Sequence, residues 1–357
     1  MLSRDETFRW LLERDPENLE LLWRQADGTR KDHVGDAIHL RGLVEISNQC
    51  VRRCAYCGIN ATNAALERYR MSADEIAACA RRAAALGYGT VVLQGGEDYG
   101  LSCAWVGDLV RRIKHETGLA VTLSLGERSD GDLAAWRHAG ADRYLLRFET
   151  SDAELYRRIH PDLPGRGSDR IAVLRRMREL GYEIGSGVMI GIPGQSWASL
   201  ADDILTFAAL DLDMIGVGPF IPHPATPLGA GAGPSLPAGE QVPADELTTC
   251  KVIALARLAC PEANIPATTA LATLAGAEGR ELGLARGANV VMPNLTPSRY
   301  RAGYAIYPGK ACLSESVGDD RLRAWIAGLG RTPGTGPGGR ARLAPTPVGA
   351  GPRGGSG

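Results

Sequence analysis

The 357-residue chain has no run of about 18 consecutive apolar residues, which excludes a helical membrane span. Residues 1–10 are charged and lack the apolar centre of a secretory leader, so a cytoplasmic protein is expected. An excess of one charge is missing too. Lys and Arg number 40 against 41 Asp and Glu, a net charge of −1, and no nucleic acid or membrane surface is expected as a partner. The arginines of 153–158 and 170–180 alternate with acids, as on solvated helix faces. Eight cysteines spread over this length do not make a secreted disulfide framework. Cys79, Cys103, Cys250 and Cys260 fall in apolar helical patterns and read as small buried hydrophobes. What remains is ordinary for a soluble enzyme: 44% hydrophobic, 23% charged, and long enough for two average domains or one large barrel.

From residue 42 the chain alternates between short β-rich runs and helical periods. Strands are predicted at 43–47, 90–94, 121–125, 143–148, 187–190, 214–218, 265–269 and 289–292. Helices are predicted at 73–86, 106–116, 132–139, 152–158 with 170–180, 198–210, 244–258 and 280–286. Eight strand–helix units imply an α/β fold, a (β/α)8 barrel, with a doubly wound open sheet as the competing layout. Residues 1–40 read as an N-terminal helical segment opened by a capping box, Ser3 with Glu6. Residues 41–330 form the barrel, with a short C-terminal extension. Residues 331–357 are Gly/Pro-rich and read as a disordered tail, and 229–239 as a loose loop insertion.

Three cysteines share one loop after the first strand, in Cys50-Val51-Arg52-Arg53-Cys54-Ala55-Tyr56-Cys57-Gly58. A cubane iron–sulfur cluster has four irons, and three thiolates leave one iron open to bind and reduce a small molecule. Zinc is the competing reading, yet no second C-x-x-C and no C-x-x-H follows to complete a tetrahedral site. Further motifs also fall directly after strands: Gly95-Gly96-Glu97-Asp98, Arg147-Phe148-Glu149-Thr150 and Gly191-Ile192-Pro193-Gly194. In a (β/α)8 barrel these loops meet at the C-terminal mouth, where active sites lie. Glycines let backbone approach a ligand closely. A carboxylate at Glu149, preceded by Arg147, can accept from an ammonium or hydroxyl. Arg41, placed just before the first strand, brings positive charge for an anionic substrate.

Read together with Arg68-Tyr69-Arg70-Met71-Ser72, Thr122-Leu123-Ser124-Leu125-Gly126-Glu127, Gly218-Pro219-Phe220-Ile221-Pro222-His223-Pro224, Ile265-Pro266-Ala267-Thr268-Thr269-Ala270 and Tyr307-Pro308-Gly309-Lys310, the loops resemble one family. They are similar to the FeFe-hydrogenase maturases of HydE type, radical S-adenosylmethionine (SAM) enzymes related to biotin synthase and methylornithine synthase. The resemblance covers about residues 35–330. It implies a 4Fe-4S cluster on Cys50, Cys54 and Cys57, and SAM chelating the open iron. It implies Tyr56 beside the adenine, Gly95, Gly96 and Glu97 at the SAM amino group, and Arg170 on the SAM carboxylate. Gly191 would belong to the turn supporting the adenine. A substrate pocket would be lined by Thr122, Met214, Thr268, Thr269 and Tyr304, while His223 either touches substrate or shapes its loop.

By the same resemblance the reaction is reductive cleavage of SAM to a 5′-deoxyadenosyl radical, acting on a small iron–cysteine species bearing carbonyl and cyanide during H-cluster maturation. Other hydrogenase maturases and a low-potential donor, ferredoxin or flavodoxin, would be the partners, in an oxygen-poor setting. Some relatives carry a second cluster with a cysteine at the place of Cys312 and two more downstream. Here no cysteine follows Cys312, so one cluster is expected. A methylornithine synthase-like lysine mutase and a non-catalytic metal-binding scaffold are the alternatives.

Overall fold

The structure, a computed structural model, describes residues 2–310 and 319–340. Cys312 and residues 341–357 lie outside the described residues, so the single-cluster expectation at Cys312 stands on sequence alone.

Helix α1 (Arg4–Leu12) opens with the expected capping box: the Ser3 side chain accepts from the Glu6 amide, and Glu6 reaches back to Ser3 N–H. Helix α2 (Pro16–Val34) follows Asp15, which accepts from the amides of Glu17 and Asn18. Strand β1 (Ala37–Ser47) then starts a run of alternating units: α3 (Ala73–Ala85), β2 (Thr90–Gly95), α4 (Cys103–Thr117), β3 (Ala120–Ser124), α5 (Asp130–His138) and β4 (Arg143–Leu145). Next come α6 (Ala153–Ile159), α7 (Arg170–Glu179), β5 (Glu183–Ser186), β6 (Met189–Ile190), α8 (Trp197–Ala209), β7 (Met214–Ile215) and β8 (Gly218–Pro219). The last elements among the described residues are α9 (Glu246–Ala259), α10 (Thr269–Ala275), α11 (Gly279–Ala285), β9 (Val290–Val291), α12 (Ser298–Arg301), α13 (Asp319–Gly328) and β10 (Thr332–Pro333).

The helices form where an N-cap meets an apolar stripe. In α3, Ser72 and Glu75 make a second capping box, and Ile76, Ala80 and Ala83 turn inward. Each aliphatic side chain of leucine size so buried contributes about 1.5–3 kcal/mol.

Strands β1, β2, β3, β4, β5 and β7 are hydrogen-bonded in that order, all parallel. Single bridges carry the ring round: Met214 pairs with Asn264, Pro266 with Val290, and β9 returns to β1 at His39 and Leu40. The fold is therefore a (β/α)8 barrel whose seventh stave is a few residues around 264–266.

Several expected boundaries move. The strand expected at 265–269 is cut short because the Thr268 side chain caps α10 instead. The strand expected at 187–190 falls in two pieces, β5 from Glu183 and β6 at Met189–Ile190, on either side of Gly187. A Cβ at Gly187 would lie 1.8 Å from the Gly216 carbonyl oxygen, so the chains touch there. Arg41 lies inside β1, not before it, and a boundary at residue 40 would cut that strand. The N-terminal helices belong to the same body: Lys251 of α9 donates to the Leu11 carbonyl at 2.9 Å. The 229–239 loop is largely exposed and is anchored where it begins, at buried Leu228, whose N–H is bonded to the Ala55 carbonyl at 3.0 Å. Residues 331–340, expected to be loose, lie against the barrel. Backbone hydrogen bonds hold them where apolar burial could not: Thr332 N–H donates to Asp36 at 3.1 Å, and Gly334 N–H to Ile38 at 2.8 Å. No helix among the described residues is long and apolar enough to cross a membrane.

Candidate active site

The cysteine loop leaves β1 at the C-terminal mouth and is pinned from four directions. Val51 N–H donates to the Glu97 carbonyl, Ala55 N–H to Ile159, and Gly58 N–H to Ile306, at 3.0, 2.8 and 2.9 Å, and the Ala55 carbonyl accepts from Leu228. Gly96 permits the approach, since a Cβ there would stand 2.2 Å from the Gln49 oxygen and 2.9 Å from Cys50 Cβ. Asp98 locks the far side, taking Ser47 Oγ at 2.7 Å and both Arg70 nitrogens at 2.7 and 2.8 Å.

Cys50, Cys54 and Cys57 are free thiols on the wall of one cavity of about 220 Å³. Tyr56, Gly95, Gly96, Glu97, Arg147, Glu149, Arg170 and Tyr304 line the same cavity. Burial pushes all three thiols up, Cys57 to about 12 with Cys50 adding to it. Such thiols ionise only beside a cation, which is what iron supplies. Among the described residues no three His, Cys, Asp or Glu side chains gather about a single ion. Among the buried polar atoms of the cavity lining without a hydrogen-bond partner are Arg147 Nε and Glu149 Oε2, although Arg147 Nη2 stands 3.1 Å from the latter. Glu149 also holds a left-handed backbone (φ 65°), a cost a non-glycine residue bears mostly at functional sites. The thiols, the open wall and these orphaned atoms fit a cluster with a polar ligand beside it.

Behind this wall runs a buried ionic network. Arg52 joins two carboxylates, Glu97 Oε1 at 2.8 Å and Glu127 Oε2 at 2.9 Å. Glu97 also accepts from Tyr99 Oη at 2.7 Å and the Glu127 amide at 3.0 Å, so both of its oxygens are engaged by protein. Glu127 Oε1 takes Ser168 Oγ at 2.6 Å and Arg170 Nε at 3.1 Å, with His160 Nε2 at 3.4 Å. Burial alone would push the Glu127 carboxyl up. His160, Arg170, Ser168 and Arg52 outweigh it and hold the group at about 2. Arg170 spends Nη1 on the Arg147 carbonyl at 2.7 Å, so its fork is already half engaged. His160, fully buried, places Nδ1 3.1 Å from Cys54 Sγ.

A second cavity of about 180 Å³ continues down the barrel and shares Gln94, Ser124, Arg147 and Gly218 with the first. Arg41, Thr122, Met214, Thr268 and Thr269 line it. Thr122 Oγ1 and Arg41 Nε are buried without a hydrogen-bond partner. Gly185 makes room for Met214, whose Cε would lie 2.7 Å from a Cβ there. Lys310 also lines this cavity, paired with buried Glu45 and 5.0 Å over the Tyr304 ring.

Of the expected site residues, Tyr304 belongs to the upper cavity, and Gly191 lines neither. Gly191 has φ 79° and abuts the Ala244 backbone, where a Cβ would stand 2.3 Å away, so it is a turn glycine. His223 shapes its loop: Nδ1 accepts from the Ala225 amide at 3.1 Å. Arg52, Glu127, His160 and Lys310 carry no role in the sequence reading. A signal for two of them was present, since Glu97 and Glu127 follow consecutive strands at one mouth and an arginine stands inside the cysteine loop between them.

The radical SAM superfamily matches residues 44–206. The FeFe hydrogenase maturase subunit HydE of Thermotoga maritima is 45% identical over 326 residues, spanning 91% of this chain and 90% of the relative. A 3-methylornithine synthase of Methanosarcina acetivorans is 30% identical, spanning 86% of this chain and 83% of its own length. The crystal structure of methylornithine synthase (PylB) superposes with a TM-score of 0.78 at 26% identity, covering 94% of each chain.

Proposed function

Because the chain belongs to the radical SAM enzymes, in the family that includes HydE, we propose that it acts in maturation of the FeFe-hydrogenase active site on a small anionic iron–cysteine species bearing carbonyl and cyanide. The observation that carries this reading is the charge of the lower cavity. Its lining includes Arg41, Arg147 and Lys310 and no Asp or Glu among the described residues; Glu149 and Glu45 pair with Arg147 and Lys310 from behind the wall, while Arg41 contacts only a thioether and a carbonyl. Lysine, the substrate of the mutase alternative, carries two ammonium groups against one carboxylate, a net positive charge for which this lining offers no acidic side chain. An anionic complex supplies the counter-charge that Arg41 lacks.

Cys50, Cys54 and Cys57 would hold three irons of one 4Fe-4S cluster. When bound, the cluster supplies the electron that splits the SAM sulfonium into methionine and a 5′-deoxyadenosyl radical. Glu149 Oε2 would accept from the SAM ammonium or a ribose hydroxyl, with the Gly95 and Gly96 backbone beside it. Arg170 would give the SAM carboxylate its remaining nitrogen, Tyr56 would pack on the adenine, and Glu97 would act through Arg52 by fixing the loop. Below them Thr122, Met214, Thr268, Thr269 and Tyr304 would enclose the substrate in a chamber that excludes water. Such clusters work near about −400 mV, so ferredoxin or flavodoxin would be the donor, and other maturases of a cytoplasmic pathway the neighbours.

Anaerobic reconstitution with SAM, reductant and the iron complex tests this. About four irons per chain, 5′-deoxyadenosine formation and a substrate-derived radical signal are expected. Turnover of lysine to methylornithine would replace the maturase reading with the mutase, and an intact cluster that leaves SAM whole would leave a scaffold.

A further inference from the structure

The N-terminal mouth of the barrel is crossed by Gly334-Thr335-Gly336-Pro337-Gly338-Gly339-Arg340. The segment departs from β10, which lies on the first residues of β1 through Ala37 and Ile38. It then hands two carbonyls to the staves above. The Pro337 oxygen accepts from Thr90 Oγ1 of β2 at 2.9 Å and Arg143 Nη2 of β4 at 3.0 Å. The Gly338 oxygen accepts from Arg41 Nη2 of β1 at 2.9 Å and Asn264 Nδ2 at 3.1 Å. Arg340 latches the end, reaching Asp211 at 2.6 Å, Glu262 at 3.1 Å and buried Asp213 at 3.4 Å. The glycines are there for contact. A Cβ at Gly89 would stand 1.4 Å from the Gly336 oxygen, and one at Gly338 2.6 Å from the His39 ring.

Arg41 is what this segment touches inside the substrate cavity. Its guanidinium is buried, with Nη1 on Met214 Sδ at 2.9 Å, Nη2 on Gly338 and Nε unpartnered. None of its contacts is a carboxylate among the described residues. Without the Gly338 carbonyl, the mouth would admit water and the side chain would be free to turn down into it.

We propose that residues 334–340 are the floor of the substrate chamber and the positioning element of Arg41, fixing a guanidinium at the bottom of the barrel as an inward-facing anion ligand. The inference rests on reading the lower cavity as the substrate chamber. It gives the C-terminal segment a part in substrate binding, by backbone carbonyls and a single latch.

Two variants of the full-length, cluster-loaded chain test it: Gly338→Val, which drives a side chain into His39, and Arg340→Ala, which removes the latch. Arg340→Lys is the conservative control. Phenylglyoxal labelling of Arg41, mapped by peptide mass spectrometry, needs no substrate. It should run at least about tenfold faster in G338V and R340A than in the wild type and R340K, the equivalent of one charge-assisted hydrogen bond. With the iron complex as substrate, KM should rise about tenfold while SAM cleavage without substrate stays unchanged. That KM effect should vanish when either change is combined with Arg41→Ala. Equal labelling in all chains overturns the proposal, as does a KM rise that persists without Arg41. Should the wild type leave the iron complex untouched while the labelling pattern holds, the substrate reading falls and the floor stands.

Discussion

The two mouths of this barrel are closed by different means. At the C-terminal end, loops from successive strands converge, and behind their backbone bonds stands a network of charged and thiol side chains: three thiols, Glu97, Glu127, Arg52, Arg170 and His160. At the N-terminal end one glycine-rich segment, whose own side chains include a single charge, Arg340, does the closing with carbonyl oxygens that Arg41, Arg143, Thr90 and Asn264 receive. The upper network holds ions in place against strong burial, so its members are chemically specified. The lower seal only has to fit, so it is specified by the absence of side chains. Binding a cofactor demands particular groups, whereas excluding water demands shape.

If the division is sound, disturbing the top should abolish SAM cleavage and disturbing the bottom should spare it. Cys54→Ala carries the largest expected effect: iron content should collapse and 5′-deoxyadenosine formation vanish. Retained cleavage would mean that the upper mouth is not where the electron enters. Acid should come next. Glu127 titrates at about 2 in the fold against an ordinary 4.5, so its stabilisation is complete above pH 4.5 and is lost as pH falls through 2. A depression of that size is worth about 3 kcal/mol. Thermal unfolding of the metal-free chain should lose that increment on acidification, and Glu127→Gln should flatten the dependence. An unchanged slope in the variant would remove Glu127 as the keystone of the network.

The same contrast explains what could be read from the chain. The upper end was legible because its chemistry imposes residue types at fixed spacing: C-x-x-x-C-x-x-C, two glycines at the end of β2, an acid after β4. The barrel was legible through periodicity, except where short staves break it, as at Thr268, which caps a helix when the pattern suggested a strand. The floor was illegible. Gly334 to Gly339 has the composition of a disordered tail, and its carbonyls are common to every sequence, so no pattern distinguished a plug from a loose end. His160 was hidden for another reason: it meets Cys54 across 106 residues of sequence, through a helix end that carries no motif.

At the lower end, Arg41→Ala should raise KM for the iron complex by about ten- to a hundredfold, the loss of a charge-assisted contact. Arg41→Lys should recover only part, because an ammonium cannot span Met214, Gly338 and a ligand as the planar fork does. Loss of the cluster in Arg41→Ala would break the comparison outright, since the two ends would then not be separable.

The smallest effect sharpens the comparison from inside the upper mouth. His160 Nδ1 stands 3.1 Å from Cys54 Sγ, with Nε2 turned to Glu127. With the proton on Nδ1, the ring donates to a ligand sulfur, and such bonds stabilise the more negative, reduced state and raise a cluster's potential. His160→Ala should therefore keep its iron, shift the cluster midpoint to lower potential in an EPR-monitored redox titration, and slow SAM cleavage by about two- to tenfold. Iron loss in this variant would assign His160 to packing of the loop. An unmoved potential with iron retained would mean that Cys54 keeps its sulfur electronics without the imidazole, and that the network behind it serves only to hold Arg170 and the cysteine loop in register.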